Sequence, residues 1–273
     1  MGRRTLLALF ALLALALPAR AQLGSAPPKV VHWRLGSTVG LGFNELIGGW
    51  IAQPYLYIPY GHSKGELFEQ ANFKVGSNNV ISPNVARCGA FVGISPALFL
   101  DVNASYWALL DWSAVRFPSM NSRYDTRSRS ERHTEFVFGH VFGVNAQFKA
   151  AAGKIVLLSG WDFDRWLVPD KYFNIEIGTI IKTGYRLHGQ SFLGFMVDDR
   201  FIPLLEHEYL RFYGTKYEKE SAGVGLLVNN VVPYSSLLGV VAYHLYNPDF
   251  QGWKFLIAVV SDFPLEKKAA AKK

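Results

Sequence analysis

Strict alternation of apolar and polar side chains is the feature that most restricts how this chain folds. From residue 31 to 44 the odd positions are Val31, Trp33, Leu35, Ser37, Val39, Leu41 and Phe43, and the even ones are His32, Arg34, Gly36, Thr38, Gly40, Gly42 and Asn44. A strand turns successive side chains to opposite faces, so this stretch has one apolar face and one small or polar face. Residues 136–150 repeat the pattern, with Phe136, Phe138, Phe142, Val144, Ala146 and Phe148 against Gly139, Gly143, Asn145, Gln147 and Lys149. His140 breaks the apolar set. Residues 173–186 place Phe173, Ile175, Ile177, Ile181 and Tyr185 opposite Asn174, Glu176, Gly178, Lys182 and Arg186. Between residues 86 and 106 the even positions stay mainly apolar, which predicts one long strand. A bulge or bend is expected near Pro96, because proline offers no donor to a strand ladder. Shorter alternating stretches surround Ile155, Leu193, Ala222 and Trp253. A period of two throughout makes the chain all-β.

Composition says where the apolar faces go. The chain is 50% hydrophobic and 15% aromatic but only 18% charged, against about a quarter charged in soluble domains. The first segment reads as a secretory signal: Arg3 and Arg4, an apolar run over 6–17, then Ala19-Arg20-Ala21 before Gln22. The run is too short for a spanning helix, which needs about twenty residues. Downstream, no apolar run approaches the length of a membrane helix. Much apolar surface must therefore be buried or turned to lipid by strands. The net charge of +7 is largely an end effect. Without the three signal arginines and the tail over 266–273, 21 basic residues face 20 acidic ones. Nucleic-acid binding needs a basic face on the fold itself, and none is indicated. Cys88 is the only cysteine, so no internal disulfide forms.

Short turn-rich links at 82–84, 152–153, 188–189 and 232–235 alternate with longer connections at 45–66, 111–133, 166–171, 200–218 and 247–251. Aromatic residues gather near both predicted strand ends. Phe43, Tyr106, Phe136, Phe138, Trp161, Phe163, Phe173, Trp253 and Phe255 fall at one, and Trp33, Phe148, Tyr185 and Phe263 at the other. In signal, alternation, loop asymmetry and aromatic girdles the chain resembles bacterial outer-membrane β-barrel proteins over about residues 29–265. One departure is that such proteins typically finish on a terminal aromatic, whereas ten residues follow Phe263. The resemblance implies a closed antiparallel transmembrane β-barrel of about ten strands, or twelve if 46–58 holds another hairpin. The expected organisation is a cleaved signal peptide over 1–21, a linker over 22–29, the barrel over 30–265, and a basic periplasmic tail over 266–273.

Alternation then assigns the lumen. Arg34, Lys74, Arg87, Asp101, Lys149, Glu176, Lys182, Arg186 and Asp198 are expected to face inward. Their mixed signs predict a salt-bridged, mostly filled interior, since bare charges are too costly to bury. Arg116, Arg123, Arg127, Arg129 and Arg132 crowd one long connection. Of these, Arg123, Arg127, Arg129 and Arg132 are candidate contacts for lipopolysaccharide phosphates, which guanidinium forks suit, although a solvated loop has the same composition. Other residues raise three chemistries. His188 and Ser191 are three apart, hence on opposite strand faces, and so make a poor nucleophile and base. Asp162-Phe163-Asp164 and Glu206-His207-Glu208 offer the groups of an omptin-like protease but not its order and spacing; the aspartates are as well read as lumen ion pairs with Arg165 or Arg200. His62, His133, His188 and His207 are scattered, so neither a metal nor a cofactor is expected. The reading is a non-enzymatic outer-membrane barrel, a structural or adhesive platform or a narrow channel, with membrane lipids and the barrel-insertion machinery as partners. The alternatives are a hydrolase with its site at the extracellular rim and a soluble periplasmic ligand-binding β protein.

Overall fold

The computed structural model describes residues 30–43, 48–60, 71–83, 85–112, 136–168, 172–174, 179–181, 183–213, 217–246 and 252–265. The expected signal, linker and tail, the arginine-rich connection with Arg123, Arg127, Arg129 and Arg132, and the expected lumen residues Glu176 and Lys182 lie outside them. Among the described residues fourteen strands follow in order: β1 (His32–Phe43), β2 (Gly48–Pro59), β3 (Asn72–Ile81), β4 (Val85–Ala97), β5 (Leu100–Asp111), β6 (Val137–Ala152), β7 (Ile155–Leu167), β8 (Tyr172–Asn174), β9 (Thr179–Ile181), β10 (Gly184–Phe195), β11 (Phe201–Phe212), β12 (Tyr217–Val232), β13 (Ser235–Tyr246) and β14 (Trp253–Pro264). Twelve of them close into one antiparallel barrel, each strand beside its neighbours in sequence and β14 beside β1; β8 and β9 form a separate two-stranded sheet. Closure leaves no strand edge unpaired, which is the condition for a sheet to exist in hydrocarbon.

The register fixes which side chains look outward. Leu41 faces Ile257, Val39 faces Val259 and Phe43 faces Phe255 between β1 and β14, and all six are more than a third exposed. Phe138, Phe142 and Val144 continue this outer apolar surface on β6. Apolar patches of this extent are rare on soluble monomers, whereas an outward apolar band is what a lipid-spanning barrel requires. His140 also points outward, and the Tyr106 hydroxyl lies 2.8 Å from its Nδ1 on the neighbouring strand. The interruption of the apolar face is thus half of a lateral hydrogen bond.

Twelve strands is the higher of the two expected counts, and the wiring differs from the sequence reading in five places. The connection 45–66 contains β2, whose outward Trp50, Leu56 and Ile58 oppose equally apolar inward residues Ile51, Tyr55 and Tyr57, so no alternation marks it. The long strand over 86–106 is two strands, β4 and β5. The irregularity expected at Pro96 is present as a register shift between Ile94 and Ala97, leading straight into the turn at 98–99. The stretch 173–186 is the β8–β9 pair followed by the start of β10, which puts Tyr185 at the opposite rim from the one expected. Residues 188–189 lie within β10 rather than in a turn, and the connection 200–218 contains all of β11. The chain ends of the barrel and the links at 60–71, 98–99, 153–154, 196–200 and 233–234 define one rim, here the terminal rim. The opposite strand ends, among them Asp111, Val137, Leu167 and Gly184, define the other, the loop rim.

Candidate functional site in the barrel lumen

Arg34, Lys74, Arg87, Asp101, Lys149 and Arg186 occupy inward positions, as their registers with Tyr55, Gly93, Val80, Gln147, Leu158 and Asp164 define. Asp198 lies in the 196–200 link, not inside the barrel, and accepts hydrogen bonds from the backbone N–H of Arg200 and Phe201. Those two bonds hold its carboxyl below the usual carboxylate range. The lumen divides into three layers.

Toward the loop rim the inward side chains are mainly apolar, with buried Asp111 among them and the Arg87 guanidinium 5.7 Å from the Trp107 ring centre. Val85, Leu109, Val137, Val141, Trp166, Leu210, Phe212 and Tyr217, from β4, β5, β6, β7, β11 and β12, form one buried cluster with Val168, and Trp107 packs on it. Trp166 and Phe212 meet edge to face at 6.2 Å and are fully buried. Aromatic rings of this size fill a lumen that twelve strands would otherwise leave wide.

Beneath this layer lies a belt of ionic side chains. Asp164 on β7 pairs with Arg186 on β10, whose guanidinium sits 5.5 Å from the Trp166 ring centre. Gly143 on β6 makes space for that carboxylate: a Cβ there would come 2.3 Å from Asp164 Oδ1. Asp162 accepts from Asn145 Nδ2 at 2.7 Å and lies 3.4 Å from His188 Nδ1. The other ring nitrogen of His188 is 3.1 Å from Glu208 Oε1. An imidazole that serves two carboxylates must donate from both nitrogens, which is the property of the imidazolium. Glu208 also accepts from Lys219 at 3.1 Å and from Lys254, and Glu206 accepts from Gln190 at 3.2 Å and Lys254 at 3.4 Å.

The Lys254 contact shows how sequence builds the belt. Lys254, Ala242, Gly223 and Glu206 stand in one row across β14, β13, β12 and β11. The two middle positions carry no more than a methyl group, so the lysine lies flat over them and reaches an acid three strands away. Asp162, Asp164, Glu206 and Glu208 balance Arg186, Lys219, Lys254 and a protonated His188. Charges this buried are tolerated only when paired and hydrogen-bonded.

Toward the terminal rim the two sides of the lumen differ: Leu204, Val240 and Ala242 form a second buried apolar cluster with Phe192, Leu227, Leu238 and Leu256, and the remaining wall is polar. Arg34 Nη2 pairs with Asp262 Oδ2 at 2.9 Å, and the Tyr55 hydroxyl donates to the same carboxylate at 3.1 Å. Lys74 pairs with Asp101, which also accepts from Ser95 at 2.8 Å and Asn103 at 2.7 Å. Among the described strand residues of inward register, those classed as exposed are Gln147, Lys149 and Val260, all in the terminal half of the barrel. Exposed inward side chains are thus confined to this terminal half, called here the vestibule, where they lie beside the apolar cluster and below the filled upper lumen.

Sequence reasoning places Lys254 opposite the apolar face of its strand but misses Glu206, His188, Glu208 and Lys219 as lumen residues. His188 was assigned to a turn and the two glutamates to a connection, although the spacing of Asp162 with Asp164 and of Glu206 with Glu208 puts each pair on one strand face. Neither Arg165 nor Arg200 pairs with the aspartates. Arg165 points outward, 5.6 Å from the Tyr185 ring centre, and Arg200 lies over Phe201. Ser191 faces outward as well and shares a hydrogen bond with Ser159 at 2.8 Å, on the opposite face from His188.

No protein-family model matches the chain, and no curated protein does. Solved structures similar to it include the transport unit of the autotransporter AIDA-I from Escherichia coli, at 12% identity and a TM-score of 0.45, covering 94% of this chain and 97% of that one. The NanC porin shares 10% identity with a TM-score of 0.40 over 85% of this chain and 100% of its own. The CymD monoaromatic hydrocarbon channel shares 10% identity with a TM-score of 0.40, covering 88% and 90%. The closed ring, the outward apolar band and the ionic lumen give this chain the architecture of the outer-membrane β-barrels, and no narrower family matches it.

Proposed function

We propose that this chain is a non-enzymatic barrel of the Gram-negative outer membrane, delivered by a cleaved signal peptide, that serves as a structural or adhesive platform rather than as an open pore. The observation that carries this reading is the filling of the upper lumen. Trp166 and Phe212 sit fully buried in the layer nearest the loop rim, and a charge-balanced belt closes the lumen beneath them. A pore for abundant solutes needs a continuous wet path, and a net field if it is to select by charge. Membrane lipids cover the outward apolar band. The loop rim faces the cell exterior, where Arg123, Arg127, Arg129 and Arg132 engage lipopolysaccharide phosphates. The barrel-insertion machinery assembles the chain.

Reconstitution in a planar bilayer tests the reading. The expected record is electrically silent; steady ohmic steps of porin size would overturn it. The vestibule around Lys149 favours one second reading, a narrow channel that conducts only when the upper packing rearranges, and brief small openings are its signature. Fractionation combined with heat-modifiable gel mobility tests the compartment and the closed barrel together.

A further inference from the structure

The vestibule contains three cations, Arg34, Lys74 and Lys149, and two carboxylates, Asp101 and Asp262. Four of these five are consumed in two ion pairs, Arg34 with Asp262 and Lys74 with Asp101. Lys149 is the remainder. Among the described residues its ammonium has no hydrogen-bond or ion-pair partner, and the residue is exposed although its register points it into the lumen. It lies within electrostatic reach of Lys74 and Asp101, three and one strands away, and also of Asp262 on β14, on the opposite wall. Its inward register together with its exposure turns it toward the vestibule. Gln147, one turn of the pleat above it on the same face, is exposed too and adds an amide donor.

From this geometry we infer that Lys149 makes the vestibule a binding site for small carboxylate or phosphate anions entering from the terminal rim. The ammonium supplies the charge and Gln147 a hydrogen bond. The upper belt and the aromatic layer stop the anion from passing further. Asp101 and Asp262 stay engaged with their own cations, so they do not cancel Lys149. The inference builds on the reading of the lumen as closed above and exposed below. It does not require conduction, so a current in the bilayer would leave it standing.

The test uses the full chain refolded in detergent, with Cys88→Ala removing the outward thiol and Gln147→Cys as a reporter inside the vestibule. Modification rates are compared for an anionic, a cationic and a neutral methanethiosulfonate. With Lys149 present the anionic reagent is expected to react faster than the cationic one. Lys149→Gln should lower the anion-to-cation rate ratio about tenfold at low salt, the effect of one unit charge several ångströms away in a wet site. Lys149→Arg should restore the ratio. Inorganic phosphate at matched ionic strength should slow the anionic reagent only in chains with a cation at position 149. A ratio changed less than twofold by Lys149→Gln would overturn the inference, and so would equal phosphate protection with and without the cation. Failure of the neutral reagent to reach the reporter in folded chains, verified by heat-modifiable mobility, would overturn it as well.

Discussion

Replacing Glu208 with glutamine keeps the shape of the side chain and removes one negative charge from the centre of the ionic belt. That carboxylate is the meeting point of His188 at 3.1 Å, Lys219 at 3.1 Å, Lys254, and the Ser221 hydroxyl at 3.4 Å. The residue is 8% exposed, so water does little to replace it. Removing one partner of a buried ion pair costs about 3–5 kcal/mol, because the other charge stays behind. Here Lys254 retains Glu206 at 3.4 Å, and the amide still accepts one hydrogen bond. Glu208→Gln is therefore expected to destabilise by about 3 kcal/mol, the lower end of that range. The measurement is urea unfolding of the barrel in detergent micelles, followed by tryptophan fluorescence. Glu208→Gln combined with Lys219→Met should recover most of the loss, because the double variant leaves the belt charge-balanced. A single variant within about 0.5 kcal/mol of the parent, the ordinary range for surface changes, would refute the claim that the belt is a dry, mutually dependent network.

Two further outcomes concern the filled lumen and a third the 196–200 link. Trp166→Ala leaves a large void beside Phe212 in the upper cluster; it should cost about 3–5 kcal/mol in unfolding experiments, and a loss under about 1 kcal/mol would contradict the full burial of both rings. Gly143→Ala forces a methyl group against the Asp164 carboxylate and to within 3.2 Å of the Trp107 ring; a loss of about 1–3 kcal/mol is expected by the same assay, and an unchanged midpoint would contradict the packing described. Asp198 has a depressed folded pKa, so its contribution is present above the unfolded value of about 3.9 and is lost as pH falls from there through the lower folded value. Amide exchange at Arg200 and Phe201 should accelerate in that window, and Asp198→Ala should abolish the pH dependence.

The architecture was legible in sequence wherever one strand face is apolar and the other is not. The 31–44 and 136–150 patterns became β1 and β6 with the faces they foretold, because the lipid side and the lumen side impose different chemistry on alternate residues. Legibility failed where both faces share a character. β2 has Tyr55 and Tyr57 inside and Leu56 and Ile58 outside, and β11 carries Glu206 and Glu208 inside against His207 and Arg211 outside. Parity also ran unbroken across the turn at 98–99, which disguised a hairpin as one strand. By itself, then, the sequence determined an all-β chain with a lipid-facing surface, since alternation is a local property of the extended backbone. The number of strands, the closing β1–β14 pair and the composition of the belt were decided only in three dimensions. Lys254 and Glu206 are 48 positions apart, and what joins them is a row of register in which Ala242 and Gly223 happen to be small. Such a row exists only once β11, β12, β13 and β14 have paired in register.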